Sequence, residues 1–173
     1  MILQFLITIG GWREMNIGKR IVYPMHGAGE IVGIEEQEVE GTKNSYYVLR
    51  LPLGNLKLML PVDKVEEIGL RDIIDKNKLP EVADTLSAEA ERAVGSWNKR
   101  YHANLDKMKT GNILDVATVA RNLERQNLKK KLSSGERRIL DLARQILISE
   151  LVFVMEQDSD AVSTWVDEQI FQK

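Results

Sequence analysis

Trp97 is followed by two cations, Lys99 and Arg100, and a second aromatic, Tyr101, in the run Gly95-Ser96-Trp97-Asn98-Lys99-Arg100-Tyr101. Further along come Lys130 and Lys131, then Arg137 and Arg138. Lys99 and Arg100 fall in the first turn expected of one helix, and Arg137 and Arg138 in the first turn of another. Free backbone N–H groups and the helix dipole at such ends also favour anions. Two helix starts with this many cations can grip a phosphate backbone. An aromatic at the same tip can press into a minor groove or against an unstacked base step. A plainer reading stands beside this one. Trp97, Tyr101, Leu105 and Met108 recur on one helical face, and spacing alone favours an ordinary core tryptophan.

Catalysis has weaker support. The chain has two histidines and no cysteine. His26 lies in a glycine turn and His102 on the polar side of the Trp97 helix, and no nucleophile, base and orienter recur together. Thiolate metal sites and disulfides are excluded. Gly27-Ala28-Gly29 leads into a strand rather than a helix N-terminus and lacks the P-loop lysine, so it is no phosphate loop. A non-enzyme without cofactor or metal is expected.

Charge narrows the partner. The 173-residue chain has a net charge of −2, but residues 92–144 carry 13 Lys/Arg against 5 Asp/Glu, and residues 145–173 carry 1 against 6. A basic block in a near-neutral chain points to a local polyanion site. A solvated helical face is the competing explanation. No side-chain set suggests base readout, so binding should be weakly sequence-specific and salt-sensitive. No stretch reaches the ~18 apolar residues of a membrane span. Residues 1–14 are apolar at first but lack a basic leader and a cleavage site, and read as an upstream-start extension.

The elements that must position these groups fall into an α+β pair. Residues 15–68 read as a small SH3/Tudor-like β domain, with strands expected over Ile17–Tyr23, Gly29–Val39, Ser45–Leu51 and Leu56–Leu60, and a closing strand at Val65–Ile68. Leu56–Leu60 is a candidate edge strand for pairing with a partner, or else simply closes the barrel. Residues 69–173 read as a compact all-α helical bundle. Short helical turns are expected at Arg71–Lys76, Pro80–Leu86 and Ser87–Val94. Ser96 caps the next helix, to about Lys109, and Asn112 caps the one after. In that helix Ile113, Val116, Ala117, Ala120 and Leu123 face the core, with Arg121 and Arg125 elsewhere. Ser133 and Glu136 form a capping box before a stripe of Leu140, Ala143, Leu147, Leu151 and Val154. A last helix spans about Asp160–Phe171.

The run Ile17-Gly18-Lys19-Arg20-Ile21-Val22-Tyr23-Pro24-Met25-His26-Gly27 resembles the CarD/CdnL family of bacterial transcription regulators, whose N-terminal domain is shared with the transcription-repair coupling factor. Gly69-Leu70-Arg71-Asp72, Ser96–Tyr101 with Ala103-Asn104-Leu105, Leu132–Arg138 and Ala143-Arg144-Gln145 extend the match over about residues 15–171. The resemblance implies a Tudor-like domain that binds the RNA polymerase β subunit by sheet-edge pairing. Leu56, Lys57, Leu58, Met59 and Leu60 would supply that edge. Gln37 and Met59 stand where actinobacterial members have arginines. It also implies a helical domain that contacts promoter DNA at the upstream edge of the bubble and stabilises the open complex. There Trp97 is the wedge, and Lys99, Arg100 and Arg137 match DNA-contacting positions. A cytoplasmic monomer, nucleoid-associated through polymerase, is expected. The alternative is a general nucleic-acid-binding module acting in RNA or repair processes.

Overall fold

The computed structural model describes residues 15–92 and 94–172. The extension expected at residues 1–14 lies outside them. Five antiparallel strands form one sheet: β1 (Arg20–Tyr23), β2 (Gly27–Val39), β3 (Thr42–Arg50), β4 (Lys57–Pro61) and β5 (Arg71–Asp72), in the order β4-β3-β2-β1-β5. A register shift between Ile31 and Gly33 bends β2 over its partner. Ile21, Ile31, Leu49, Leu51, Leu60, Val65 and Leu70 form the core on the sheet's inner face.

The closing strand expected at Val65–Ile68 is instead a one-turn helix, α1 (Val65–Ile68), ended by Gly69 in the left-handed conformation. β5 pairs with β1 in its place, so Arg71–Asp72 is a strand and not a helical turn. Val65 is apolar but stands alone between charged residues, and one buried side chain serves a helical turn as well as a strand.

The helices are α2 (Leu79–Ser87), α3 (Trp97–Lys109), α4 (Ile113–Lys129), α5 (Ser134–Met155) and α6 (Ser159–Phe171). Their caps follow the sequence. Ser96, Asn112, Ser133 and Asp158 each accept a backbone N–H of the following turn. The helix expected over Ser87–Val94 does not form. α2 ends at Ser87, and residues 88–92 continue without regular structure. Arg121 is the other departure. It is 4% exposed, not on an outer face, and its guanidinium donates to the Thr85 carbonyl and the Asn122 side chain. Arg125 likewise donates to the carbonyls of Ser87 and Ile170. Both cations bind the open end of α2 to α4, where orphan carbonyls need donors.

Sheet and helices are joined by buried polar contacts. Arg71 forms a two-pronged pair with Glu150, both bonds 2.7 Å, and donates through Nε to the Gly111 carbonyl. Glu150 is 0% exposed and also accepts from the Ile74 N–H. The Ala28 N–H donates to Ser149 Oγ at 2.8 Å. A Cβ at Gly27, whose φ is +107°, would lie 2.6 Å from that oxygen, so only glycine allows this approach. Arg20 covers the Phe153 ring at 5.1 Å.

Candidate nucleic-acid interface

The stripe predicted on α3 enters the core by degrees. Met108 is fully buried, Leu105 and Tyr101 are partly buried against the helical core, and Trp97 at the outer end is 43% exposed. The indole is thus neither sealed in nor free. One face stacks on Tyr101, with centroids 5.2 Å apart and planes 22° from parallel. Its Nε1–H donates to Ser133 Oγ at 3.0 Å. Beneath it lies Gly135, where an added Cβ would meet Trp97 Cζ2 at 3.1 Å and Tyr101 Cε2 at 3.4 Å. His102 sets its ring edge-on to Tyr101 at 5.7 Å.

The N-termini of α3 and α5 and the C-terminus of α4 therefore meet at one place, and most of the predicted cations lie around it. Lys99 is exposed, its stem lying over Gly95. Lys130 and Lys131 are exposed in the link between α4 and α5. Arg137 and Arg138 are exposed on the first turn of α5, and Arg137 donates to Asn127 Oδ1 at 3.0 Å. Lys99, Lys130, Lys131 and Arg138 make no ion pair with a described residue. Their charge stays available to a polyanion.

Arg100 is different. Its Nη1 donates to the Gly95 carbonyl at 2.8 Å, and Nη2 lies 3.8 Å from Glu136. Its buried Nε has no partner among the described residues. The guanidinium is folded back onto the protein. Helical periodicity could not reveal this, because the acceptor is a carbonyl exposed by the break at Gly95.

Glu136 is a buried acid among these cations. Burial acts to raise its pKa. Hydrogen bonds from the Ser133 N–H, the Gln126 amide and the Ser133 hydroxyl, with the Arg100 charge, outweigh burial and hold it below the usual carboxylate range. The capping box was legible in Ser133-Ser134-Gly135-Glu136. The indole that Ser133 also accepts lies 36 positions away and was not.

In the sheet, β4 pairs only with β3 among the described residues, so it is an edge. Leu51 N–H donates to the Leu56 carbonyl at 2.8 Å, and the register continues through Leu49–Leu58 and Tyr47–Leu60. In an antiparallel ladder these are the bonded pairs, so the backbone groups of Lys57 and Met59 point outward. Pro61, which has no N–H to offer, shares that parity and ends the edge. The side chain of Leu60 is buried, Leu58 and Met59 are half-buried, and Leu56 and Lys57 are exposed. Gln37 is not brought to this edge. It pairs with Asn44 on the β2–β3 hairpin, beyond the Pro61 end of β4 and separated from it by β3.

Among the described residues no His, Cys, Asp and Glu cluster could hold a metal, and no helix is long and apolar enough to cross a membrane.

Comparison with known proteins accounts for both halves. Residues 15–74 match the CarD-like/TRCF RID domain and residues 81–167 the CarD C-terminal domain. YdeB of Bacillus subtilis (strain 168), named as a candidate transcription factor, is 41% identical over 137 residues, covering 79% of this chain and 89% of YdeB. The transcription-repair-coupling factor of Staphylococcus aureus (strain USA300) is 30% identical over 74 residues, covering 43% of this chain and 6% of that protein. A solved structure, CdnLNt from Myxococcus xanthus, is 40% identical over 39% of this chain and 94% of its own, with a TM-score of 0.32. With matches to both of its domains in order, the chain belongs to the CarD/CdnL family of transcription regulators.

Proposed function

We propose that the chain binds the RNA polymerase β subunit through the β4 edge and sets Trp97 against promoter DNA at the upstream edge of the bubble, stabilising the open complex. The observation that carries this reading is the indole at the α3 tip. It is 43% exposed, braced from behind by Tyr101 and Gly135, and surrounded by cations. A half-exposed ring on a rigid support is suited to insertion at a distorted base step. The outward groups of Lys57 and Met59 suit strand addition, which draws on backbone more than side chain. The match of residues 15–74 to a domain shared with transcription-repair coupling factors supports polymerase as the partner.

No catalytic step is needed. A protein shifts the closed–open equilibrium only by its difference in affinity for the two states. A contact worth ~1–3 kcal/mol in the open state alone changes its population about 5- to 150-fold. Tethering to polymerase raises the local concentration, so weak intrinsic DNA affinity suffices.

The test is in vitro transcription with purified holoenzyme, measuring open-complex lifetime with and without the protein. The wild type should lengthen it and Trp97→Ala should remove most of the effect. A full effect from Trp97→Ala would overturn the assignment. Capture of core polymerase by the intact chain separates this reading from a general nucleic-acid-binding module.

A further inference from the structure

One buried carboxylate touches all three helices that meet behind Trp97. Glu136 Oε2 accepts from the N–H of Ser133 at 3.0 Å and from its hydroxyl at 2.8 Å. Oε1 accepts from Gln126 Nε2 of α4 at 3.1 Å and lies 3.8 Å from Arg100 Nη2 of α3. Ser133 Oγ in turn accepts the Trp97 indole N–H at 3.0 Å, and Arg100 holds the Gly95 carbonyl at the start of α3. We propose that Glu136 is the positioning residue for Trp97: it fixes the Ser133 hydroxyl as an acceptor for the indole and anchors the helix that bears it. This rests on the reading of Trp97 as the DNA-contacting group.

The hydrogen-bond inventory shows what a carboxylate supplies here. The Ser133 hydroxyl has one hydrogen. Given to Glu136, it leaves the lone pairs for the indole. The Ser133 N–H and the Arg100 guanidinium can only donate to this carboxylate, which accepts from both sides at once. A glutamine cannot serve both. With its oxygen toward Ser133, its NH2 faces Arg100, and the Gln126 amide must flip to accept from it. With its NH2 toward Ser133, the Ser133 N–H is orphaned and the hydroxyl hydrogen turns toward the indole N–H.

Charge and geometry make opposite predictions for Glu136→Gln. The substitution removes a negative charge from a cationic site, so electrostatics alone predicts tighter DNA binding. Positioning predicts weaker action, because α3 loses its Arg100 anchor and the Ser133 acceptor is held in only one of the two amide orientations. The test uses the full chain with Trp12→Phe and Trp165→Phe, leaving Trp97 as the sole tryptophan, excited selectively at the red edge of its absorption. Steady-state anisotropy of Trp97 in the free protein is compared with open-complex lifetime on holoenzyme. Glu136→Gln should lower the anisotropy and shorten the lifetime about 5- to 10-fold. It should add little to Trp97→Ala in the double variant. Ser133→Gly is the second variant, since glycine still serves as an N-cap within a few tenths of a kcal/mol of serine but offers the indole no acceptor. It should behave as Glu136→Gln does, whereas Ser133→Thr should retain wild-type values. Unchanged anisotropy in both Glu136→Gln and Ser133→Gly, or an equal or longer open-complex lifetime, overturns the proposal. If Trp97→Ala has no effect on lifetime, the DNA role of Trp97 fails, and the anisotropy contrast alone then decides the positioning role.

Discussion

Gly135→Ala should lower activity while leaving stability within about 1 kcal/mol of the wild type, the helical gain being offset by a strained indole contact. Gly135 occupies the second position of α5, in ordinary helical backbone, where alanine is preferred over glycine by about 0.5–1 kcal/mol. The new methyl carbon would lie 3.1 Å from Trp97 Cζ2 and 3.7 Å from Cη2. Ordinary carbon–carbon contact is about 3.5–4.0 Å, so the ring must retreat by roughly 0.5 Å. It can, because its outer face is open. The indole N–H to Ser133 bond would stretch from 3.0 Å by a comparable amount, to the limit of a hydrogen bond. Losing that bond is worth about 0.5–1.5 kcal/mol, which corresponds to a 2- to 10-fold shorter open-complex lifetime. Thermal unfolding, the near-ultraviolet Trp signal and the lifetime assay read the three quantities separately. A displaced Trp signal with an undiminished lifetime would refute the idea that the seat of the indole matters. A stability loss above about 1 kcal/mol would refute the claim that the ring can yield. Replacing Trp97 by Phe, which lacks the offending atoms, should restore simple additivity with Gly135→Ala.

Arg71→Ala should cost about 3–5 kcal/mol in urea unfolding, because it leaves the fully buried Glu150 carboxylate without its cation. Met59→Pro should weaken capture of polymerase while the thermal transition persists, since the lost N–H points away from β3. Leu58→Pro should disrupt the sheet instead, because it removes a ladder bond to Leu49; equal behaviour of the two variants would contradict the assigned parity. Glu136, with its pKa held low in the folded state, contributes stability above its unfolded value of about 4.3 and loses it as pH falls through the lower folded value. Between about pH 5 and pH 3 the wild type should therefore lose more stability than Glu136→Gln, and parallel acid transitions would count against the assignment.

Local signals carried much of the fold. The caps at Ser96, Asn112 and Ser133 and the apolar stripe of α5 needed only neighbouring residues, and each is found where the sequence places it. The failures are contacts across the chain. Arg121 reads as lying off the core face of α4 until the carbonyls at the end of α2 are brought beside it. Val65–Ile68 reads as a strand until Arg71–Asp72 takes the place beside β1. The cluster of Trp97 and the surrounding cations was legible by charge and spacing, but its bracing was not. Gly135 offered one hint, since glycine inside a helix is costly and marks a close approach when it occurs.

The Arg71–Glu150 contact joins the two halves at β5, the strand farthest from β4, and the Ala28–Ser149 contact joins them at the central strand β2. A flexible linker there would make the molecule a tether, able to search a volume for its second contact. The observed joint makes it a caliper instead, with jaws at a set separation. On the proposed reading, a promoter whose duplex left polymerase along another path would be missed altogether rather than held weakly. Loosening the waist would widen the range of promoters served while weakening the hold on each.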